Sequence, residues 1–410
     1  MSTRQHFATI AARQGLGSDQ QHGAVVSPIH LSSTFQFDGL GAKRQYDYSR
    51  SGNPTRDELA TTLAALEEGA GGVVTSSGMA ALTLVCQLLN ADDLLIAPHD
   101  CYGGTHRLLT HLEKQKKLRV RFVNQTDPLA VADALSEKPR LVLCETPSNP
   151  LLRITDIKWL ADLAHKAGAL LAVDNTFLSP GWQKPITLGA DLVVHSTTKY
   201  INGHSDVVGG AVIAATDKLH EEICWWANCI GITGAPFDSF LALRGLRTLP
   251  SRLAAHARNA KKIVDCLCGD SRIKQVNYPG LESHPGHAIA KRQQTGFGAM
   301  VSFEVDCNAV DLKTFIESLE LFFLAESLGG VESLVAHPAS MTHAAMTPEA
   351  RNIAGITEGL VRISIGLEHD QDLIDDINQA LDKATLVRTD CADQINARYE
   401  RTPQAHRLAQ

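Results

Sequence analysis

From Pro54 to about Ala254 the chain alternates short apolar runs with longer stretches whose apolar positions recur at helical spacing. Thr55 to Glu67 puts Leu59, Leu63 and Leu66 on one face and predicts a helix. Val73-Val-Thr reads as a short strand, and Ser76-Ser77-Gly78-Met79 then opens a helix over Ala80 to Leu89. Leu94-Leu-Ile-Ala and Leu141-Val-Leu-Cys are further strands. Asp156 to Ala167 is a helix that Gly168 closes as its C′ residue. Two more strands follow, Leu170-Leu-Ala-Val and Leu192-Val-Val, each ending in polar residues. Apolar strands separated by helices predict a mostly parallel sheet covered on both faces, an α/β fold.

After about His256 the order changes. Gly298 to Val305 reads as a strand and Leu312 to Leu319 as a helix. Val361-Arg-Ile-Ser-Ile-Gly366 alternates strictly, with Arg362 and Ser364 opposite Val361, Ile363 and Ile365. Leu373, Ile374, Ile377 and Leu381 mark a last amphipathic helix. This predicts a smaller C-terminal α+β domain. Met1 to Tyr48 has no long periodic segment and is too polar to bury a core alone, so it reads as an arm lying across another surface. The expected organisation is an arm over 1–49, a large domain over 50–256, a small domain over 257–387 and a polar tail over 388–410.

Composition narrows the class. A net charge of −7 with no Lys/Arg-rich block argues against a general nucleic-acid binder. No apolar run reaches the roughly 20 residues that span a bilayer, and Met1 to Gly17 has no apolar core of a secretory signal, so a cytoplasmic protein is expected. The nine cysteines are scattered, and neither close pair, Cys224/Cys229 or Cys266/Cys268, has zinc-site spacing. They read as thiols in a reducing compartment, with no metal.

The chemistry gathers where strands end. Lys199 directly follows the apolar strand Leu192-Val-Val-His195-Ser196 and precedes a glycine-containing loop. A lysine desolvated at a sheet edge has a lowered amine pKa, which Schiff-base chemistry requires. Ser196-Thr-Thr-Lys199 also matches the S-x-x-K pattern of penicillin-binding serine enzymes, but its partner motifs S-D-N and K-T-G are absent. Asp174 either turns the chain or pairs with a protonated pyridine nitrogen. Ser77-Gly78-Met79 at a helix start, with Ser196 and Thr198 on a neighbouring strand end, suits a phosphate. No Walker A and no dinucleotide fingerprint occurs. Tyr102 either packs in a turn or stacks on a flat heterocycle. Arg362 either pairs with an acid or clamps a substrate carboxylate. Together these residues describe a pyridoxal-phosphate (PLP) amino-acid enzyme.

With Tyr48-Ser-Arg50-x-Gly-Asn-Pro-Thr, Ser77-Gly78-Met79, Glu145-Thr-Pro-Ser-Asn149-Pro, Val173-Asp174-Asn-Thr, Thr198-Lys199-Tyr-x-Asn-Gly-His-Ser-Asp and Glu326-Ser327-Leu-Gly-Gly-Val-Glu-Ser, the chain resembles the PLP enzymes of cysteine and methionine transsulfuration from about residue 5 to 385. The resemblance implies a fold-type-I PLP protein, a homotetramer built from dimers with shared sites. It implies Lys199 as the Schiff-base lysine, Asp174 at the ring nitrogen, and Tyr102 stacked and acting as an acid/base. Gly78, Met79, Ser196 and Thr198 would meet the phosphate, with Tyr48 and Arg50 reaching the phosphate of the neighbouring subunit. Asn149, Ser327 and Arg362 would hold the substrate α-carboxylate; Asp47, Arg107 and Glu326 are candidates for the distal ends of substrates.

Pro98-His-Asp-Cys-Tyr-Gly-Gly, Cys224-Trp-Trp-Ala-Asn228 and His30-Leu-Ser-Ser-Thr-Phe point, within the family, to members that build cystathionine. The implied reaction is γ-replacement in methionine biosynthesis: O-succinyl-L-homoserine and L-cysteine give L-cystathionine and succinate. Cystathionine γ-cleavage to cysteine, 2-oxobutyrate and ammonia, and O-acylhomoserine sulfhydrylation, are the alternatives within the family. A PLP-binding protein without catalysis is the alternative outside it, disfavoured by the intact motif positions. Methionine γ-lyases carry a cysteine two residues after the stacking tyrosine; the chain has Gly104 there.

Overall fold

In the computed structural model, residues 5–344 and 346–386 are described. Seven strands form the first sheet: β1 (Gly71–Thr75), β2 (Leu94–Pro98), β3 (Arg119–Val123), β4 (Leu141–Glu145), β5 (Leu170–Asp174), β6 (Leu192–His195) and β7 (Gly210–Ala214). Their order in space is β1-β7-β6-β5-β4-β2-β3. The five strands from β6 to β3 run parallel. β7 lies antiparallel to both β1 and β6. The mostly parallel sheet is therefore as the apolar runs predict.

Alternate side chains of these strands enter different cores. Leu143, Ala172, Leu192 and Val194 pack on one face with Leu82 and Val85 of helix Gly78–Cys86. Val142, Leu171 and Val173 pack on the other with Ile157, Leu160 and Ala164 of helix Ile157–Lys166. Each fully buried leucine contributes about 2 kcal/mol, which is why these strands are apolar throughout. Where the cover ends, the residues turn polar. Register places Glu145 opposite Asp174 and Asp174 opposite Val194, so Glu145, Asp174 and His195 come out along one edge.

The second sheet holds β8 (Ile273–Asn277), β9 (Met300–Val305), β10 (Phe323–Leu324), β11 (Leu334–Ala336) and β12 (Leu360–Ser364), in the order β10-β11-β12-β9-β8. Every residue of β12 is buried. Its apolar face lies in the core with Phe303 and Ile377. Its polar face is buried too, because Arg362 turns toward the first sheet and meets Asn149. The 21-residue helix Leu249–Gly269 runs through the division expected at residue 256. The chain thus passes toward the second sheet along a continuous helix, without a linker.

Helix Phe7–Arg13 lies inside the expected arm; it buries Ala11 and packs Phe7 and Ile10 on the main core. Its seven residues are too few for a periodic signal. Beyond it the arm is irregular and carries apolar side chains into solvent, Leu31 at 70% exposure and Val25 at 69%. The tail expected from residue 388 lies outside the described residues. Among the described residues, no helix is long and apolar enough to cross a membrane.

Candidate active site

A cavity of about 540 Å³ opens at the polar edge of the first sheet and is closed by the second. Lys199, Asp174, Tyr102, Gly78, Met79, Ser196, Thr198, Asn149, Arg107, Glu326, Ser327 and Arg362 all line it. Twelve residues named from sequence thus converge on one space, from strand ends, helix starts and the second sheet.

Lys199 sits in a tight turn just past β6: its N–H bonds Ser196 O at 3.2 Å, and Gly203 N–H bonds its carbonyl at 2.8 Å. Gly203 has φ +74°, the left-handed region a side chain resists. The Lys199 Nζ donates to Ser327 Oγ at 2.7 Å, across to the segment that joins β10 and β11 of the second sheet. Burial, and then the charge of Arg362, lower the amine from 10.5 to about 8. The amine is therefore partly neutral near neutral pH, as a nucleophile must be. In cofactor-free protein, the rate at which Lys199 captures added PLP is expected to rise with pH to about 8 and then level off. A stopped-flow rate that climbs on to about 10, the range of a solvated lysine, contradicts the assignment.

The Asp174 carboxylate caps its own turn, accepting Thr176 N–H at 3.0 Å. Burial raises its pKa; the Thr176 bonds and the charge of His195 oppose that. Glu145, at the adjacent strand end, is pushed well above the carboxylate range by burial and then by Asp174. It accepts Tyr102 N–H at 2.9 Å and Asn149 N–H at 3.1 Å, and so joins the tyrosine turn to the Asn149 turn. A buried Asp174 beside a second carboxyl group suits a cationic ring nitrogen, whose charge would relieve both.

Ser77 caps helix Gly78–Cys86 by accepting Ala80 N–H at 3.0 Å. A Cβ on Gly78 would stand 2.8 Å from Ser196 Cβ. The glycine thus lets a helix N-terminus close on the hydroxyl-bearing end of β6, leaving backbone N–H groups for an anion. A Cβ on Gly104 would lie 2.5 Å from Tyr102 Cε1 and 3.0 Å from Met79 Sδ. A cysteine there would displace the tyrosine ring.

Arg362 donates to Asn149 Oδ1 at 2.9 Å and to Ser327 O at 3.1 Å. Burial lowers it to about 10. Both partners are neutral oxygens, so the fork keeps its charge available for a carboxylate.

Tyr48, Arg50 and Asp47 do not line this cavity. Arg50 Nε donates to Asn228 Oδ1 at 3.1 Å and its guanidinium lies 5.5 Å from the Tyr48 ring centroid. Asp47 pairs with Lys43 at 2.9 Å and is held down to about 2, chiefly by that contact. Sequence reasoning missed Thr176, Phe177, Met341 and Thr342 in the lining, and gave Glu145 no role. Glu145 ends an apolar strand as Asp174 does, and that shared pattern is the signal that could have found it.

The donor set fits PLP: an amine lowered into reach, a carboxylate, an anion cup and a guanidinium fork face one space. The chain belongs to the Cys/Met metabolism PLP-dependent enzymes, whose family pattern matches residues 8–382. It is 57% identical to cystathionine gamma-synthase of Escherichia coli over 90% of this chain and 96% of that one. It is 47% identical to cystathionine gamma-lyase of Dictyostelium discoideum over 92% of this chain and 98% of that one. The crystal structure of cystathionine gamma synthase from Xanthomonas oryzae pv. oryzae in complex with cystathionine superposes with a TM-score of 0.92 at 58% identity, covering 93% and 99% of the two chains.

Proposed function

We infer that this chain catalyses γ-replacement, forming L-cystathionine and succinate from O-succinyl-L-homoserine and L-cysteine. The observation that carries the reading is the graded likeness: 57% identity to a synthase against 47% to a lyase, over nearly the same span. The site supports it with an amine and a guanidinium fork facing one cavity of about 540 Å³.

Bound at this site, PLP supplies an electron sink that makes the substrate's Cα and Cβ protons labile. Lys199 would hold the cofactor, Asp174 would keep its ring nitrogen charged, and Gly78, Met79, Ser196 and Thr198 would hold its phosphate. Lys199 Nζ is the base that takes and returns protons at Cα. Ser327 Oγ, 2.7 Å away, orients that amine. Arg362, with Asn149 and Ser327, fixes the α-carboxylate, so that Cα faces Lys199. Tyr102 offers a phenol for proton exchange at the incoming amine or thiol. Glu326 and Arg107 line the far side, where the succinyl group or the second amino acid would lie. The net change breaks the Cγ–O bond to succinate and forms a Cγ–S bond to cysteine.

An assay panel tests this. O-Succinylhomoserine with cysteine should give cystathionine faster than cystathionine alone gives 2-oxobutyrate. The reverse order favours cleavage; sulfide outpacing cysteine favours sulfhydrylation. Including O-acetylhomoserine reads out the acyl preference.

The chain is proposed to work as a homotetramer of dimers in the cytoplasm, with Tyr48, Arg50 and Asp47 serving the neighbour's site. The solvent-exposed Val25 and Leu31 of the arm support this, as do the exposed Trp225 and Phe237 on the same subunit. Mixing Lys199→Ala subunits with Arg50→Ala subunits is expected to restore activity to both inactive parents. Failure of the mixed oligomer to gain any activity would place Arg50 outside the shared site.

A further inference from the structure

The turn that carries Lys199 is gripped from behind by a buried cation that the roles above leave unused. Arg252 lies in the first turn of helix Leu249–Gly269 and is 5% exposed. Its Nη1 donates to Tyr200 O at 2.8 Å, its Nη2 to Gly245 O at 2.8 Å and to Ile201 O at 3.3 Å, and its Nε to Thr248 Oγ1 at 3.2 Å. Tyr200 and Ile201 are the two residues after Lys199. Gly245 belongs to helix Pro236–Arg247. One guanidinium therefore ties the Lys199 turn to the join between two helices. Two glycines admit it: a Cβ on Gly203 would collide with Arg252 Nη1, and a Cβ on Gly245 with Asn202 O.

The same turn supports the partner of the amine. Gly203 O accepts Val331 N–H at 3.0 Å, and a Cβ on Gly329 would stand 2.8 Å from Tyr200 N. The segment that presents Ser327 Oγ to Lys199 Nζ is thus laid on residues 200–203.

These four partners of Arg252 are neutral oxygens. Burying a cation without a carboxylate is costly, and an apolar side chain would fill the space at lower cost. Burial draws the guanidinium down to about 10, so it stays charged near neutral pH. A planar fork offers what an apolar side chain or a single ammonium does not, a fixed relation among three carbonyls. Holding Tyr200 and Ile201 fixes how the chain leaves Lys199.

We propose that Arg252 is a positioning residue for Lys199: it locks the Tyr200 and Ile201 carbonyls to Gly245 and so sets where the amine stands against Ser327 and the bound cofactor. This rests on Lys199 being the Schiff-base lysine and the base at Cα. Without the fork the turn loosens, water reaches the amine, and proton transfer slows. Gly78, Met79, Asn149 and Arg362 stand on other elements, so cofactor and substrate still bind.

The test compares Arg252→Met and Arg252→Lys holoenzymes with Ile263→Ala, a buried core position about three turns further along the same helix. Turnover per folded molecule, exchange of the substrate Cα hydrogen with deuterated solvent, melting temperature and the pH midpoint of the bound cofactor's visible band are measured together. Arg252→Met is expected to lower kcat and Cα exchange by the same factor, about 10²-fold, with KM within about threefold of the parent. Arg252→Lys keeps the charge but loses the fork, and should fall at least about tenfold. The band's midpoint should rise by about half a pH unit in both, because water favours the protonated form of the nitrogen linked to Lys199. The charges that act on the Lys199 amine are those of Arg362 and Glu326, which both variants retain, so the rise reports exposure. Ile263→Ala should lower the melting temperature and leave kcat and the band as in the parent. If folded Arg252 variants match the parent in exchange and band, or if Ile263→Ala shows the same losses, Arg252 serves stability alone and the proposal is overturned. A raised KM with kcat retained assigns the turn to substrate binding, which also overturns it, as does failure of both Arg252 variants to fold. Lys199→Ala separates the two readings. If it still exchanges the Cα hydrogen, Lys199 is not the base and the proposal falls with that reading; if it is inactive while the Arg252 variants behave like the parent, the proposal alone fails.

Discussion

Lys199→Ala is expected to lower kcat by about 10⁴-fold or more while leaving a folded chain. The side chain's strong contact is a single bond to Ser327 Oγ, and its backbone is held by Ser196 and Gly203, so its loss leaves the turn intact. What disappears is the only lysine amine among the described residues that line the cavity. Exchange of the substrate Cα hydrogen with deuterated solvent, followed by NMR, should fall with turnover, because one group serves both. Borohydride treatment should no longer fix the cofactor to the chain. A variant within tenfold of the parent would mean that another base does this work.

The second large effect is at Arg362. Arg362→Lys keeps the charge but loses the fork, and is expected to raise KM for O-succinylhomoserine about 10²-fold with a smaller change in kcat. Arg362→Ala should be worse, because Asn149 Oδ1 and Ser327 O then lie buried without their donor. Cofactor absorbance should persist in both, since Arg362 is not among the residues expected to hold PLP. Steady-state kinetics over a wide substrate range checks this. An unchanged KM in Arg362→Lys would remove the α-carboxylate from this position.

Much of the site is legible in sequence for a physical reason. A parallel strand buried on both faces is apolar along its length, so the first polar residues past it announce an exposed strand end. Asp174 and Lys199 stand out this way, and Arg362 stands out by alternation in β12. What stays hidden is what needs the third dimension. β3, Arg119-Val-Arg-Phe-Val, lies at the sheet edge and carries charge, so it does not resemble the other strands. The reversal of β7 leaves no trace in its apolar Gly210-Ala-Val-Ile-Ala, which is buried whichever way it runs. Arg252 and Tyr200, whose carbonyl it meets, stand 52 positions apart and look, one by one, like a helix-start cation and a turn residue. Met341 and Thr342 enter the lining from an irregular segment with no pattern to read.

The way the cavity is walled bears on how such enzymes diversify. Lys199, Asp174 and the anion cup belong to the edge of the first sheet, while Arg362 comes from β12 of the second and Glu326 and Ser327 from the segment that joins its strands β10 and β11. Changes at separated positions tend to add rather than interfere. Substitutions on the second wall that spare Ser327 and Arg362, which contact or tune the Lys199 amine, can thus alter how a substrate's far end is held while the residues proposed to hold the cofactor stay unchanged. Synthases and lyases that align with this chain over nine-tenths of its length are what that freedom would produce. A library confined to the second wall is the natural place to look for a change of substrate that spares the chemistry.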